Sequence, residues 1–321
     1  MNKTKSIFFI LFISLILLLI TGCSNNEINN MMIVDSIGIT KENDTYNISF
    51  NTYIGNDKYK VINTKVNNLD LAFEDIYLKV NKKIYLSHLN ILYLSSSLDN
   101  LDVSEVINTL NNRNDLRGSF LVIMVKDYDE KILDNDSLEI VNLIKNNHNE
   151  IGSVYPTSFN DIISNYLDLN ISYIPVVDKR LNLIGTHSIF DEYHFYDIDS
   201  SKYLNLLHNN LKSMTFNIDN EEIKVSDIKT IYKVNKNNIK IKIFLKYKSN
   251  LDKSIIKKDL DNKINSFLEL DISSNFFINL IKKYDYDFYK NDNLDIKYEI
   301  NLFIDKDKVN NIKEDNLIEK D

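Results

Sequence analysis

The sequence has one cysteine in 321 residues, no tryptophan, two prolines and six glycines, and its 38 basic residues are outnumbered by 46 acidic ones. Each shortage removes a class of function. A single thiol cannot close an internal disulfide or build a cysteine-based zinc cluster. The glycines, at 22, 38, 55, 118, 152 and 185, stand singly. The phosphate cradles GxxxxGK[ST] and GxGxxG and the nucleophile elbow GxSxG are therefore absent. Without an indole the chain lacks the strongest platform for stacking a sugar. A net charge of −8 argues against nucleic acid and against a polybasic grip on anionic lipid. There is one alanine, Ala72, beside an excess of Asn, Ile and Lys. Such a bias fits an AT-rich coding sequence, and it blurs turn signals, which normally lean on Asn.

What is present begins at the N-terminus. Lys3 and Lys5 precede an apolar run over residues 7–20 that only Ser14 interrupts, and small residues then lead to Cys23. That is the layout of a secretory signal. The run is short for a membrane span, which needs ~20 residues at ~1.5 Å rise each. Ile20-Thr21-Gly22-Cys23 resembles a bacterial lipobox, in which the cysteine is acylated and becomes the new N-terminus. This reading also accounts for the lone cysteine of an exported chain. Each buried methylene contributes ~0.8 kcal/mol, so two or three acyl chains hold a protein to a membrane where one does not. Lipidation of Cys23 is thus predicted, with the remainder tethered to the outer face of a membrane by the anchor alone.

The rest reads as α+β: mixed sheets with covering helices in an N-terminal and a C-terminal domain. The predicted divisions are a signal peptide (1–22), a lipidated N-terminus and spacer (23–30), an α/β domain (31–178), an α+β domain (179–305) and a charged tail (306–321). Polar residues 41–44 separate two apolar runs, the second alternating through Tyr46, Ile48 and Phe50, which predicts a hairpin. Leu69, Phe73, Ile76, Tyr77 and Val80 predict a helix over 67–82; residues 84–94 predict one strand with His88 inside it. A helix carrying Val103, Val106, Ile107 and Leu110, a buried strand at 120–125 and a helix at 138–144 follow. Ser158 with Asp161 reads as a capped helix start, and Pro175 demotes 173–177 to an edge strand or connection. A second unit is expected to open with a strand at 181–190. After it come a helix capped by Ser200 or Ser201, short strands near Thr215, Ile223 and Ile231, and an alternating strand at 239–247. A helix through Ile256, Leu260, Ile264 and Phe267 and a strand at 294–304 complete it, and the tail is expected to fray.

Chemistry is hard to find. The five histidines, 88, 148, 187, 194 and 208, form no HExxH or paired Cys/His pattern. His187 and His194 with Asp191 and Glu192 are the densest cluster of possible ligands and read as a hydrated loop. The carboxylates offer no pair to select, since separation in space defines a glycosidase site. Residues 284–288, Tyr-Asp-Tyr-Asp-Phe, read as a helix end before a strand rather than a carbohydrate platform. No catalytic residue, metal or cofactor is predicted, and the chain reads as a non-enzyme.

Cys23, Glu27, Asn29, Val34, Ile37, Gly38 and Ile39 resemble the opening of the Ger(x)C family, the C-subunit lipoproteins of spore germinant receptors, although Ser24-Asn25 stands where that family usually has Trp-Asp. Residues 85–98 look like its strand with an internal histidine. Arg113, Asn114 and Arg117 look like its Arg-Asp-x-x-x-Arg segment, and residues 184–214 like the start of its C-terminal domain, which is shorter here than is usual. The resemblance implies a lipid-anchored subunit in the spore inner membrane, acting in germination by contact with integral-membrane A and B subunits. A solute-binding lipoprotein of a transporter is the alternative reading, and a surface hydrolase using scattered carboxylates a third.

Overall fold

The computed structural model describes residues 31–55, 58–190, 193–269, 274–284, 287, 297–305 and 318–320. The predicted signal peptide, Cys23 and spacer lie outside them. Among the described residues no helix is long and apolar enough to cross a membrane. The architecture is α+β, two mixed sheets with helices packed on them.

Strands β1 (Met31–Glu42) and β2 (Thr45–Gly55) form the predicted hairpin. Its two-residue turn, Asn43 and Asp44, has positive φ at both positions, 46° and 63°, the turn whose twist matches that of the flanking strands. β3 (Lys58–Val66) adds to β2. Helix α1 (Asp70–Val80) then buries Leu69, Ala72 and Ile76 and leaves Tyr77 half exposed. β4 (Lys83–Tyr85) and β5 (Ile91–Ser95) both pair parallel with β1. α2 (Asn100–Asn111) leads to β6 (Leu121–Val125), and a 3-10 turn (Glu130–Asp134), α3 (Ser137–Glu150) and α4 (Phe159–Leu169) lead to β7 (Ile171–Val177). β8 (Leu183–Phe190) and β9 (Phe195–Asp197) return antiparallel. The order is β3-β2-β1-β5-β6-β7-β8-β9, with β4 beside β1. α1, α2 and α4 contribute to the core on one face, the 3-10 turn and α3 to that on the other. Every residue of β5, β6 and β7 is consequently buried, as parallel strands covered on both sides must be.

The second sheet is β10 (Ser213–Ile218), β11 (Glu221–Asn235), β12 (Asn238–Lys248) and β13 (Lys297–Asp305), with β14 (Ile318–Lys320) on β11. Helices α5 (Ile198–Leu207), α6 (Lys253–Glu269) and α7 (Ser274–Tyr284) share a core with one face of it. On β12, Ile239, Ile241, Ile243, Leu245 and Tyr247 point into that core. Lys240, Lys242 and Lys246 lie on the other face, the half-solvated surface their alternation predicted.

Several expectations are corrected. The strand expected at 84–94 is two, because residues 86–90 turn inward to bury Leu86 and Leu89, and His88 sits exposed in that turn. β7 is interior rather than an edge. Pro175 is tolerated because pairing with β6 starts only at Val176, while residues 157–158 lie beside β6 where β7 diverges, the Val122 N–H donating to the Thr157 carbonyl at 3.1 Å. The strand at 183–190 pairs with β7 and so extends the first sheet rather than opening the second. α5 is capped by Asp197, which accepts from the Ser200 N–H. The strands expected at Ile223 and Ile231 are one, β11, bulged at Asp227 with φ 53°. Within the tail, Ile318–Lys320 pairs with β11.

Candidate functional site

Residues from both sheets meet in a cavity of about 270 Å³. Ile171 and Tyr173 come from β7, where the strand has left β6, and Asn165 and Leu169 from the last turns of α4. His208 caps the C-terminus of α5, Thr230 and Tyr232 project from β11 beyond its bulge, and Phe276 and Lys283 come from α7. Rings fill the floor: His208 lies 3.9 Å from Phe276 and 4.5 Å from Tyr173, centroid to centroid, and Tyr232 lies 6.0 Å from Phe276.

Two of the lining residues hold buried polar atoms, His208 Nε2 and Tyr232 Oη, that have no hydrogen-bond partner among the described residues. Leaving such groups unmet costs ~1–3 kcal/mol each. Neighbouring groups are committed: the Thr230 N–H donates to Asn209 Oδ1 at 2.7 Å and its hydroxyl to the Leu206 carbonyl at 2.6 Å. Burial drives the His208 imidazole down to about 3 and raises the Tyr232 phenol. His208 is therefore neutral at physiological pH, one ring nitrogen able to donate a hydrogen bond and the other to accept one, without a positive charge. At the rim, Lys283 pairs with Asp168 at 2.9 Å. The arrangement suits holding a small, partly aromatic molecule with hydrogen-bonding groups.

A wider, polar crevice of about 580 Å³ lies at the carboxyl ends of β1, β5 and β6, lined by Lys41, Asn47, Ser95, Ser97 and Tyr128 among others. Beneath it Lys41 Nζ reaches Asp102 at 2.6 Å, and the Tyr46 hydroxyl lies 3.0 Å from Asp102 and 2.8 Å from Glu105. Tyr128 lies against Gly38, in space any Cβ there would occupy.

The residues singled out in the sequence are scattered. Cys23, Asp191 and Glu192 lie outside the described residues, as do residues 285, 286 and 288 of the Tyr-Asp-Tyr-Asp-Phe run; its Tyr284 lines the cavity. His187 Nδ1 lies 2.6 Å from the Ser188 carbonyl with its ring on Tyr193, and the His194 ring packs on Tyr196. Among the described residues no group of three His, Cys, Asp or Glu could hold a metal. Arg113 makes a two-pronged pair with Asp115, at 2.9 and 2.8 Å, and covers the Phe73 ring, a structural role. His208, Tyr232 and Phe276 escaped sequence reading because three distant elements bring them together. The one local signal was a histidine directly after the apolar face of α5.

Residues 24–179 match the family described as the spore germination protein N-terminal domain. No curated protein matches the chain. Among solved structures, one titled "Crystal Structure of the GerBC protein" is similar at 16% identity with a TM-score of 0.44, over 84% of this chain and 96% of that one. Residues 24–179 thus carry a spore germination protein N-terminal domain, in keeping with the Ger(x)C resemblance read from the sequence.

Proposed function

We propose that the chain is the lipid-anchored C subunit of a nutrient germinant receptor, held by acylated Cys23 on the outer face of the spore inner membrane and acting by contact with the A and B membrane subunits. The observation that carries this reading is where the family domain starts: at residue 24, one residue after the lipobox cysteine. An anchor at that point would keep the domain within a short tether of its membrane partners. The division of labour is non-enzymatic, and the working parts are surfaces. The test is a pull-down of the tagged protein from solubilised spore inner membrane. Two multi-spanning proteins should co-purify with it, and Cys23→Ala should release a folded protein from the membrane fraction. Recovery with a permease and an ATPase would overturn the reading.

The cavity between the sheets favours a second reading, a solute-binding lipoprotein. A ligand that meets His208 and Tyr232 would stabilise the fold by ~2.7 kcal/mol at a hundredfold excess over Kd. A thermal-shift screen of small aromatic and polar molecules separates the two, because a flat response removes the second.

A further inference from the structure

The chain leaves its predicted anchor and enters the first sheet at Met31. Seven residues lie between Cys23 and Met31, and the eight steps from one to the other, at ~3.3–3.6 Å per extended residue, span at most ~29 Å. The end of the sheet reached by this tether is set by register. Ile33 is opposite Tyr53, Tyr53 is opposite Tyr59, and Met31 is opposite Lys83. The β2–β3 hairpin end is thus level with the point where the chain comes in.

That end is unusual in composition. Tyr53, Ile54 and Tyr59 are 38%, 60% and 52% exposed, and Tyr53 and Tyr59 brace each other edge to face at 5.6 Å. Lys58 and Lys60 flank them, and Lys82 and Lys83 stand beside Met31, all exposed. The side bearing β4 also exposes Tyr77 and Leu78, which share a groove with Lys83. Tyr59 also lines a cleft with Asp134 and Asp136, on the face that Lys58 and Lys60 alternate away from, and Glu74 lines the groove with Lys83. Tyrosine bodies with polar tips and lysines with long apolar stems are the side chains that settle at a membrane interface. The net charge of −8, which argued against a polybasic grip on anionic lipid, conceals these four lysines, which share the end with Asp57 in the sequence and with Glu74.

We propose that the hairpin end of the first sheet, Tyr53, Ile54 and Tyr59 with Lys58 and Lys83, rests on an anionic bilayer surface as a second contact beside the anchor. It rests on the lipid-anchor reading of Cys23 and adds to it an orientation, with the domain docked by this end instead of swinging on its tether.

The lone cysteine and the missing tryptophan make the test clean. Residues 23–321 are coupled through the Cys23 thiol to a maleimide phospholipid in vesicles of phosphatidylcholine and phosphatidylglycerol, which fixes the tether whether or not cells acylate it. Tyr59→Trp then supplies the sole indole. Its emission should move to shorter wavelength and be quenched by brominated lipid. Glu42→Trp, at the other end of β1 and ~30 Å away at ~3.4 Å per residue, should show neither effect. Adding Lys58→Glu and Lys83→Glu should weaken the quenching of Tyr59→Trp. Quenching at residue 59 no stronger than at 42, or unaffected by charge reversal, would overturn the proposal. The mass of the N-terminal peptide from native membranes tests the anchor separately; an unacylated Cys23 would remove the anchor reading while leaving the vesicle result to stand.

Discussion

A proton on His208 would place a charge among Tyr173, Phe276 and Tyr232, and the resistance of the site to that charge gives a measurable pH dependence. The imidazole falls from its usual 6.5 to about 3 in the folded protein because burial disfavours the cation. Between those values the unfolded chain binds a proton that the folded chain refuses. The stability contributed is complete above 6.5 and is lost as pH falls towards 3. Replacing His208 by Leu should therefore flatten the decline in thermal midpoint between pH 7 and 4, relative to wild type. A parallel decline in both proteins would contradict the neutral, buried imidazole. Gly185 offers a second residue-scale test. Its φ is +154°, and a Cβ there would collide with the Tyr196 carbonyl where β9 crosses β8. Gly185→Ala should cost roughly 2–4 kcal/mol in urea unfolding. Neither role was legible in the sequence. A lone glycine in an apolar run announces a close approach but not its partner, and His208 looks like any histidine at a helix end.

Asp102 does two jobs for its element. Its backbone N–H and side chain complete a capping box with Asp99 at the start of α2, and the same carboxylate holds Lys41 and Tyr46 of the first hairpin. Burial alone would raise this carboxyl, but the Lys41 ammonium, the Asp99 backbone and the Tyr46 hydroxyl hold it below the usual range. Loss of the cap costs ~1 kcal/mol, and with it go the Lys41 pair and one of the two carboxylate acceptors of the Tyr46 hydroxyl, which keeps Glu105. Asp102→Ala should accordingly lose more stability than Ser158→Ala, which removes only the capping box of α4. Equal losses in denaturant unfolding would show that the link to the hairpin contributes nothing. At this scale the sequence was most readable. The Ser158–Asp161 cap, the α2 stripe of Val103, Val106, Ile107 and Leu110, and the alternation of β12 all depend on neighbours in the chain, and all are found. What misled were elements decided by distant partners. Residues 86–90 break the strand to bury two leucines, β7 tolerates Pro175 because β6 is not yet beside it, and the bulge at Asp227 lets one strand serve where two were expected.

Over the whole molecule, the first sheet runs past Asp178, where a division was expected ahead of the strand at 181–190, because β8 and β9 complete it. Ile171, Tyr173 and Tyr196 also belong to the core of the second sheet. A fragment ending at residue 179 would leave β7 as an apolar edge, an invitation to self-association. It should aggregate more readily, and exchange the β7 amides faster, than a fragment ending at residue 210. Equal behaviour would mean that β8 is dispensable. Beyond stability, the strand order sets an order of completion as the chain is made. All strands of the first sheet lie before residue 198, whereas β11, made early in the second, waits for a partner from residues 318–320. A chain emerging from its N-terminus can close the first sheet while the second is still incomplete, since domains form as units in the order they emerge. The part that follows the predicted anchor is thus finished before the far part has all its pieces.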